Sequence, residues 1–288
     1  EHEYRYALSV HADEIVSEGL WRRKLGASRT AMLFEREGAE VELGPTLRKL
    51  VTAARFNPRL PYLSFLCINF DAPVVKEAAS WFLDGVFLNY NSSYLEQMLE
   101  QLLDEDDSPE VTRFLRAVDV RIDGFRVERA PEWRGQRVFV RHEVGGKAYE
   151  LRLSEESAGT QKLMGLAAYL MTALERGGTV VVDELDAKLH PKLLRYVILL
   201  FKDPGVNKSG AQLIFSSQDV STMRNDVFRR DEIWFAARGE GEASQLWSLA
   251  DIHEANGNLV SKNAAFDKQY LSGRYGADPY LTRIEEWD

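Results

Sequence analysis

Thr179-Val180-Val181-Val182-Asp183-Glu184 constrains the fold of this chain more than any other stretch. Within it, Val180-Val181-Val182 is an unbroken apolar run, the pattern of a short strand covered on both faces. A helix is predicted over 160–175, with Leu163, Leu166, Ala167 and Leu170 on one face, and Gly177-Gly178 closes it. A second helix is predicted over 191–201, with Pro191 just inside its start. Leu213-Ile214-Phe215 reads as another buried strand, and 231–236 and 244–249 as two more. Strand–helix–strand order predicts a parallel α/β core.

The opening is different. Tyr4, Tyr6, Leu8 and Val10 alternate with polar residues, the mark of a strand, and 15–21 and 31–34 continue a hairpin-like β region around Gly26. From Thr46 to Val118 the apolar spacing becomes helical: Leu47, Leu50 and Val51; then Val75, Ala78, Ala79 and Phe82; then Tyr94, Met98, Gln101 and Leu102. Pro58, Pro61, Pro73 and Pro109 punctuate it, so several short helices are expected. Trp81, Phe82, Phe87 and Tyr90 read as core of that region, with partner recognition as the other reading. Strands return over 118–153, with a hairpin turn at Gly145-Gly146. The expected division is 1–45, β-rich; 46–118, a helical insertion; and 119–288, the α/β part with its tail.

Composition excludes several classes. The 288 residues are 45% hydrophobic and 28% charged, which is the balance of an ordered globular chain. No apolar run approaches the roughly 18 residues of a membrane span, so no membrane association is expected. A single cysteine, Cys67, excludes a disulfide framework and a cysteine-based zinc site and suits a reducing cytoplasm. The net charge of −9 argues against a general nucleic-acid coat. Arg22-Arg23-Lys24, Arg229-Arg230 and the acidic run 104–107 read as solvated surface. The start, Glu1-His2-Glu3, has no initiator Met, which points to a processed or cut beginning.

Three stretches carry chemistry. A buried strand ending in Asp183-Glu184 places two carboxylates at the carboxyl edge of a sheet, where α/β folds bind ligands. In phosphoryl-transfer sites an Asp there helps hold Mg²⁺ and a following Glu polarises water; the plainer reading is an acidic pair favoured by a helix N-terminus. Ser157-Ala158-Gly159 sits between a strand and a helix and suits a phosphate, or serves as an N-cap. Ser216-Ser217-Gln218-Asp219 ends the second strand, close enough in sequence for Gln218 to reach the same site. His190 before Pro191 has no neighbouring His or Cys and reads as structural.

In order and spacing these stretches resemble the ATPase core shared by ABC transporters and SMC proteins. Ser157-Ala158-Gly159 resembles the signature motif, Val180 to Glu184 Walker B with its catalytic Glu, Leu185 to Pro191 the D-loop region, and Ser216 to Asp219 the switch motif. Asp183-Glu184-Leu185-Asp186 with Leu189-His190-Pro191 narrows this to the RloA-like ATPases, prokaryotic proteins linked to restriction and phage-defence loci. Asp231 to Phe235, the tail Tyr270 to Pro279 and Leu33-Phe34-Glu35-Arg36 are similar to the same family. The resemblance implies a mostly parallel sheet with flanking helices, plus the antiparallel region and the helical insertion. It implies ATP and Mg²⁺ as cofactors and a homodimer formed through the nucleotide site. Ser157 and Gly159 of one copy would cap the γ-phosphate held by the other, with Asp186 near the opposite copy's nucleotide. Asp183 would secure Mg²⁺ indirectly, and Glu184 and Gln218 would be catalytic. A nuclease effector in phage defence is the implied partner, and nucleic acid is a further possible one.

Two features depart from that family. No Gly-x-x-x-x-Gly-Lys-Ser/Thr string occurs among the 20 glycines. The family's P-loop lies upstream, so roughly a hundred residues are expected before Glu1, and this chain alone should not hold nucleotide. The switch position, His in the family, is Gln218, which orients water but takes no proton. Two other readings compete: a Mg²⁺-dependent nuclease using Asp183, Glu184 and Asp186, and a nucleotide-independent binding module.

Overall fold

Strand β1 (His2–His11) turns back through Ala12, at φ 51°, into β2 (Glu14–Lys24). Strands β3 (Thr30–Glu37) and β4 (Glu40–Leu43) complete an antiparallel meander in the order β1-β2-β3-β4. This is a computed structural model, and it describes residues 2–52, 54–89, 109–118, 122–129, 136–238, 243–254 and 257–277. The alternation seen in β1 buries only half the strand: Tyr4 and Tyr6 pack inward, while Leu8 and Val10 stay exposed. Helices α1 (Tyr62–Asn69) and α2 (Pro73–Leu83) close the meander's inner face. Leu20, Leu33 and Phe34 meet Leu63, Leu66, Val75 and Ala79 there, all buried. Trp81 and Phe82, expected in the core, are 46% and 40% exposed; they lie at the C-terminal end of α2, where Phe82 meets Tyr6 edge-on.

The chain divides into two compact units, Glu1–Val86 and Phe87–Asp288, so the boundary falls inside the stretch read as a helical insertion. That stretch also contains a strand, β5 (Val86–Asn89), which joins a sheet of order β10-β9-β5. The helix expected around Tyr94 to Leu102, the acidic run 104–107 and the end of the tail lie outside the described residues.

The second unit contains α3 (Pro109–Ala117) and the meander β6 (Gly124–Arg129), β7 (Gln136–Val144) and β8 (Lys147–Arg152). There follow α4 (Ala158–Arg176), β9 (Thr179–Asp183), α5 (Pro191–Lys202) and β10 (Gln212–Phe215). Helix α4 buries Leu163, Leu166, Ala167 and Leu170 as its spacing requires and ends at Gly177, φ 79°. Strands β9 and β10 run parallel, with Val182 opposite Phe215. Val180 and Val182 are buried, but Ile214, expected in a covered strand, is 50% exposed; β10 is the outer strand of this sheet among the described residues and is only half-buried on its alternate face. Strands β11 (Trp234–Arg238) and β12 (Ser244–Ser248) form a hairpin packed on α6 (Phe266–Leu271), where Phe235 stacks on Tyr270 at 5.8 Å. Strand β11 starts three residues later than predicted, because Glu232 bonds the Arg229 amide and winds 230–232 into a single 3₁₀ turn. The architecture is mixed α/β, with one parallel pair demonstrated beside antiparallel meanders. Among the described residues no helix is long and apolar enough to cross a membrane.

Candidate functional site

The parallel ladder carries on past the strands and builds the site. The Ser216 amide donates to the Val182 carbonyl at 3.1 Å, and the Leu185 amide donates to the Ser216 carbonyl at 3.0 Å. Ser216 is thereby brought level with Asp183, the last residue of β9. Its hydroxyl donates to Asp183 Oδ1 at 2.5 Å and accepts the Glu184 amide at 2.8 Å. One hydroxyl therefore fixes one carboxylate oxygen, and so the direction of the other, and pins the backbone of the next residue. Both carboxylates stand exposed at the carboxyl edge, while Leu185 is fully buried and anchors the turn beneath them.

Glu184 and Lys188 have φ of 52° and 63°, left-handed values that non-glycine residues rarely adopt. Within the turn they bracket, the Ala187 amide bonds the Glu184 carbonyl at 3.0 Å and the Leu189 amide bonds the Asp186 carbonyl at 2.9 Å. Asp186 Oδ1 accepts the Gln218 amide at 3.2 Å, so the loop after β10 is tied to the loop after β9. His190 caps α5: its Nδ1 accepts the Lys192 amide at 3.2 Å, which accounts for it structurally.

Ser157 caps α4, its Oγ accepting the Thr160 amide at 3.1 Å, as the plainer reading had it. The loop before it is held from both sides. Glu156 pairs with His142 of β7 at 2.6 Å, and Gln161 Nε2 reaches back to the Glu156 carbonyl at 2.8 Å. The start of α4 lies against the turn after β9: a Cβ on Gly159 would sit 3.2 Å from the Lys188 carbonyl. Lys162, buried one turn further along, donates to the carbonyls of Glu184 and Ala187. The structure therefore gathers Asp183, Glu184, Asp186 and Gln218 at one sheet edge and docks the Ser157–Gly159 helix start on their turn.

Ser216 and Lys162 were missed from sequence. Ser216 was quoted only as part of its motif, although a hydroxyl one residue past a strand parallel to β9 was the available signal. Lys162 gave none, since a lysine between apolar residues of a helix reads as solvent-facing. Ser216→Ala should orphan the Glu184 amide and free Asp183 to rotate. An interaction of this kind contributes about 1–3 kcal/mol, so amide hydrogen exchange at Glu184 and Leu185 should accelerate by about tenfold or more.

Asp183 and Glu184 are two adjacent, exposed carboxylates. Among the described residues no group of three His, Cys, Asp or Glu side chains could hold an ion. Mg²⁺ is ordinarily bound by one or two carboxylates, with phosphate oxygens and waters filling the remaining positions. A strand-end Asp held by a serine hydroxyl, with a Glu beside it, is a donor set of that size.

The family model described as "AAA domain, putative AbiEii toxin, Type IV TA system" matches residues 46–224, more than half of the chain. The chain belongs to this AAA family. Membership carries an ATPase-type function, with nucleotide and Mg²⁺ the general ligands of such domains. It does not single out the RloA-like branch. No curated protein sequence matches the chain. Among solved structures the AAA chain is similar to the SMC head domain from Thermotoga maritima, at 13% identity and a TM-score of 0.40, covering 82% of this chain and 74% of the other. A chain described under ATP-driven dimerization and DNA-stimulated activation of SMC ATPases is similar at 14% identity and TM-score 0.32, over 61% and 88% of the two chains. The Smc head domain bound to the C-terminal domain of ScpA from Pyrococcus furiosus is similar at 17% identity and TM-score 0.32, over 49% and 34%.

Proposed function

We propose that this AAA-family chain is part of an ATP-hydrolysing head that works as a homodimer, each nucleotide enclosed between two copies. The observation that supports this most is the shared edge of β9 and β10, where Ser216 locks Asp183 and the Glu184 backbone together and Asp186 holds the Gln218 loop. Asp183 would hold Mg²⁺, directly or through water, and that ion would neutralise phosphate charge. Glu184, exposed beside it, takes a proton from the attacking water. Gln218 orients that water through its amide. Ser157 and Gly159, at the open start of α4, cap the γ-phosphate held by the other copy, and Asp186 lies where the copies meet. Nucleotide then joins the heads and hydrolysis releases them.

The RloA-like resemblance extends the proposal to a cytoplasmic, restriction-linked or phage-defence system with a nuclease effector, and nucleic acid as a further partner.

Gln218→His in the intact protein tests the catalytic assignment. A His at this position can bond the γ-phosphate and carry charge near neutrality, so ATP turnover should rise. Unchanged turnover would contradict the assignment of Gln218 to the hydrolytic step.

A further inference from the structure

We propose that Lys162 is a positioning residue that sets the 184–188 turn, and with it Glu184 and Asp186, from the first turns of α4. The proposal rests on the ATPase reading of those two carboxylates. Lys162 is 4% exposed, and its ammonium donates to the Glu184 carbonyl at 2.9 Å and the Ala187 carbonyl at 2.6 Å. These two carbonyls belong to the peptide units next to the left-handed residues, the one following Glu184 and the one preceding Lys188. Rotating either residue to ordinary helical angles would swing its neighbouring carbonyl away from the ammonium. Lys162 therefore holds both departures from common backbone geometry at once, and those departures aim the carboxylates.

Burial is the largest influence on the Lys162 ammonium and lowers its pKa to about 8, partly countered by Asp186 and Glu184, while Lys188 adds to the lowering. It remains protonated at neutral pH and so keeps its donors. Because Lys162 stands five residues after Ser157 on the same helix, the group proposed to cap one nucleotide and the carboxylates proposed to act on another are linked within one chain. A shift of the α4 start on meeting phosphate would pass directly to the turn that carries Glu184.

The test compares wild type, Lys162→Met and Lys162→Arg in the intact protein by amide hydrogen exchange and by ATP kinetics. In Lys162→Met, exchange should accelerate at 185–189 and stay unchanged in the β1–β4 meander. A displaced catalytic group costs turnover far more than affinity, so kcat should fall by about tenfold to a hundredfold with KM for ATP within about threefold. Lys162→Arg keeps the charge and should recover part of both. Unchanged exchange at 185–189 overturns the proposal, and so does acceleration spread evenly over the whole second unit, which would show only lost stability. If Lys162→Met does not fold, Lys162→Gln decides: its shorter, neutral side chain cannot reach both carbonyls, so exchange should rise at 185–189 alone, and no change there overturns the proposal. If wild type itself does not hydrolyse ATP, the ATPase reading falls, and the exchange data still decide whether Lys162 holds the turn.

Discussion

Replacing Glu184 by Gln in the intact protein is expected to lower ATP turnover by about a hundredfold or more while leaving nucleotide bound, because a positioned general base contributes about 10²–10⁴ in rate. The amide keeps the size of the carboxylate and the hydrogen bond from the Glu184 backbone to Ser216, so the turn should keep its shape. Only the capacity to take a proton is lost. Single-turnover phosphate release checks the rate, and nucleotide retention after rapid desalting checks the binding. Undiminished turnover would remove Glu184 from the mechanism. A parallel loss of binding and rate would make it a structural residue.

The second large effect concerns the first unit, at an ion pair that composition conceals. Glu18 and Arg36 are cross-strand partners in β2 and β3, and both side chains are fully buried. Arg36 Nη1 donates to Glu18 Oε2 at 3.2 Å and to the Leu60 carbonyl at 2.8 Å; its other nitrogens reach the carbonyls of Gly38 and Pro58, and its guanidinium lies over Phe56. Glu18 in turn accepts the Tyr62 and Leu63 amides at the start of α1, at 2.6 and 2.9 Å, and the Tyr6 hydroxyl at 3.0 Å. Burial, with the Glu18 carboxylate beside it, pushes the Tyr6 phenol well above its usual range. The pair thus fastens the sheet to the segment entering α1. Arg36→Met leaves a buried carboxylate without its counter-charge and should destabilise this unit by about 3–5 kcal/mol. The double variant Glu18→Gln, Arg36→Met should recover part of that loss. Urea unfolding monitored by tryptophan fluorescence measures both. A loss below about 1 kcal/mol would show that the network is dispensable.

Legibility followed periodicity. Helices α4 and α5 and strand β9 were readable because their apolar spacing is dictated by one covered face, and because Gly177 and Pro191 mark ends that only certain residues can form. Strand β5 was not readable. Its apolar run is too short to tell strand from helix, and it lies among segments of helical spacing. The burial of Glu18 and Arg36 follows from the same period of two that places Leu20 and Phe34 inward, but charged residues are assumed exposed unless a partner strand is known. At the candidate site, the order of the motifs suggested that the loops after β9 and β10 could meet, and the Gln218 backbone amide does bond Asp186 there. What spacing could not supply was contact across strands and helices. Ser216 matters because β10 lies in register beside β9, and Lys162 because α4 crosses the 184–188 turn. The exposure of Trp81 and Phe82 was hidden for a related reason: helical spacing gives a face, not how fully the last turn of the helix is covered.

In the proposed head, two copies enclose ATP between the Asp183–Glu184 edge of one and the Ser157–Gly159 helix start of the other. Sedimentation velocity on the intact Glu184→Gln protein, with and without Mg²⁺-ATP, tests it directly. Adding Mg²⁺-ATP should shift the protein from monomer to dimer, and Ser157→Arg, which blocks the helix start, should abolish that shift. A protein that binds the nucleotide yet sediments as a monomer, or that dimerises equally well with Ser157→Arg in place, would contradict it.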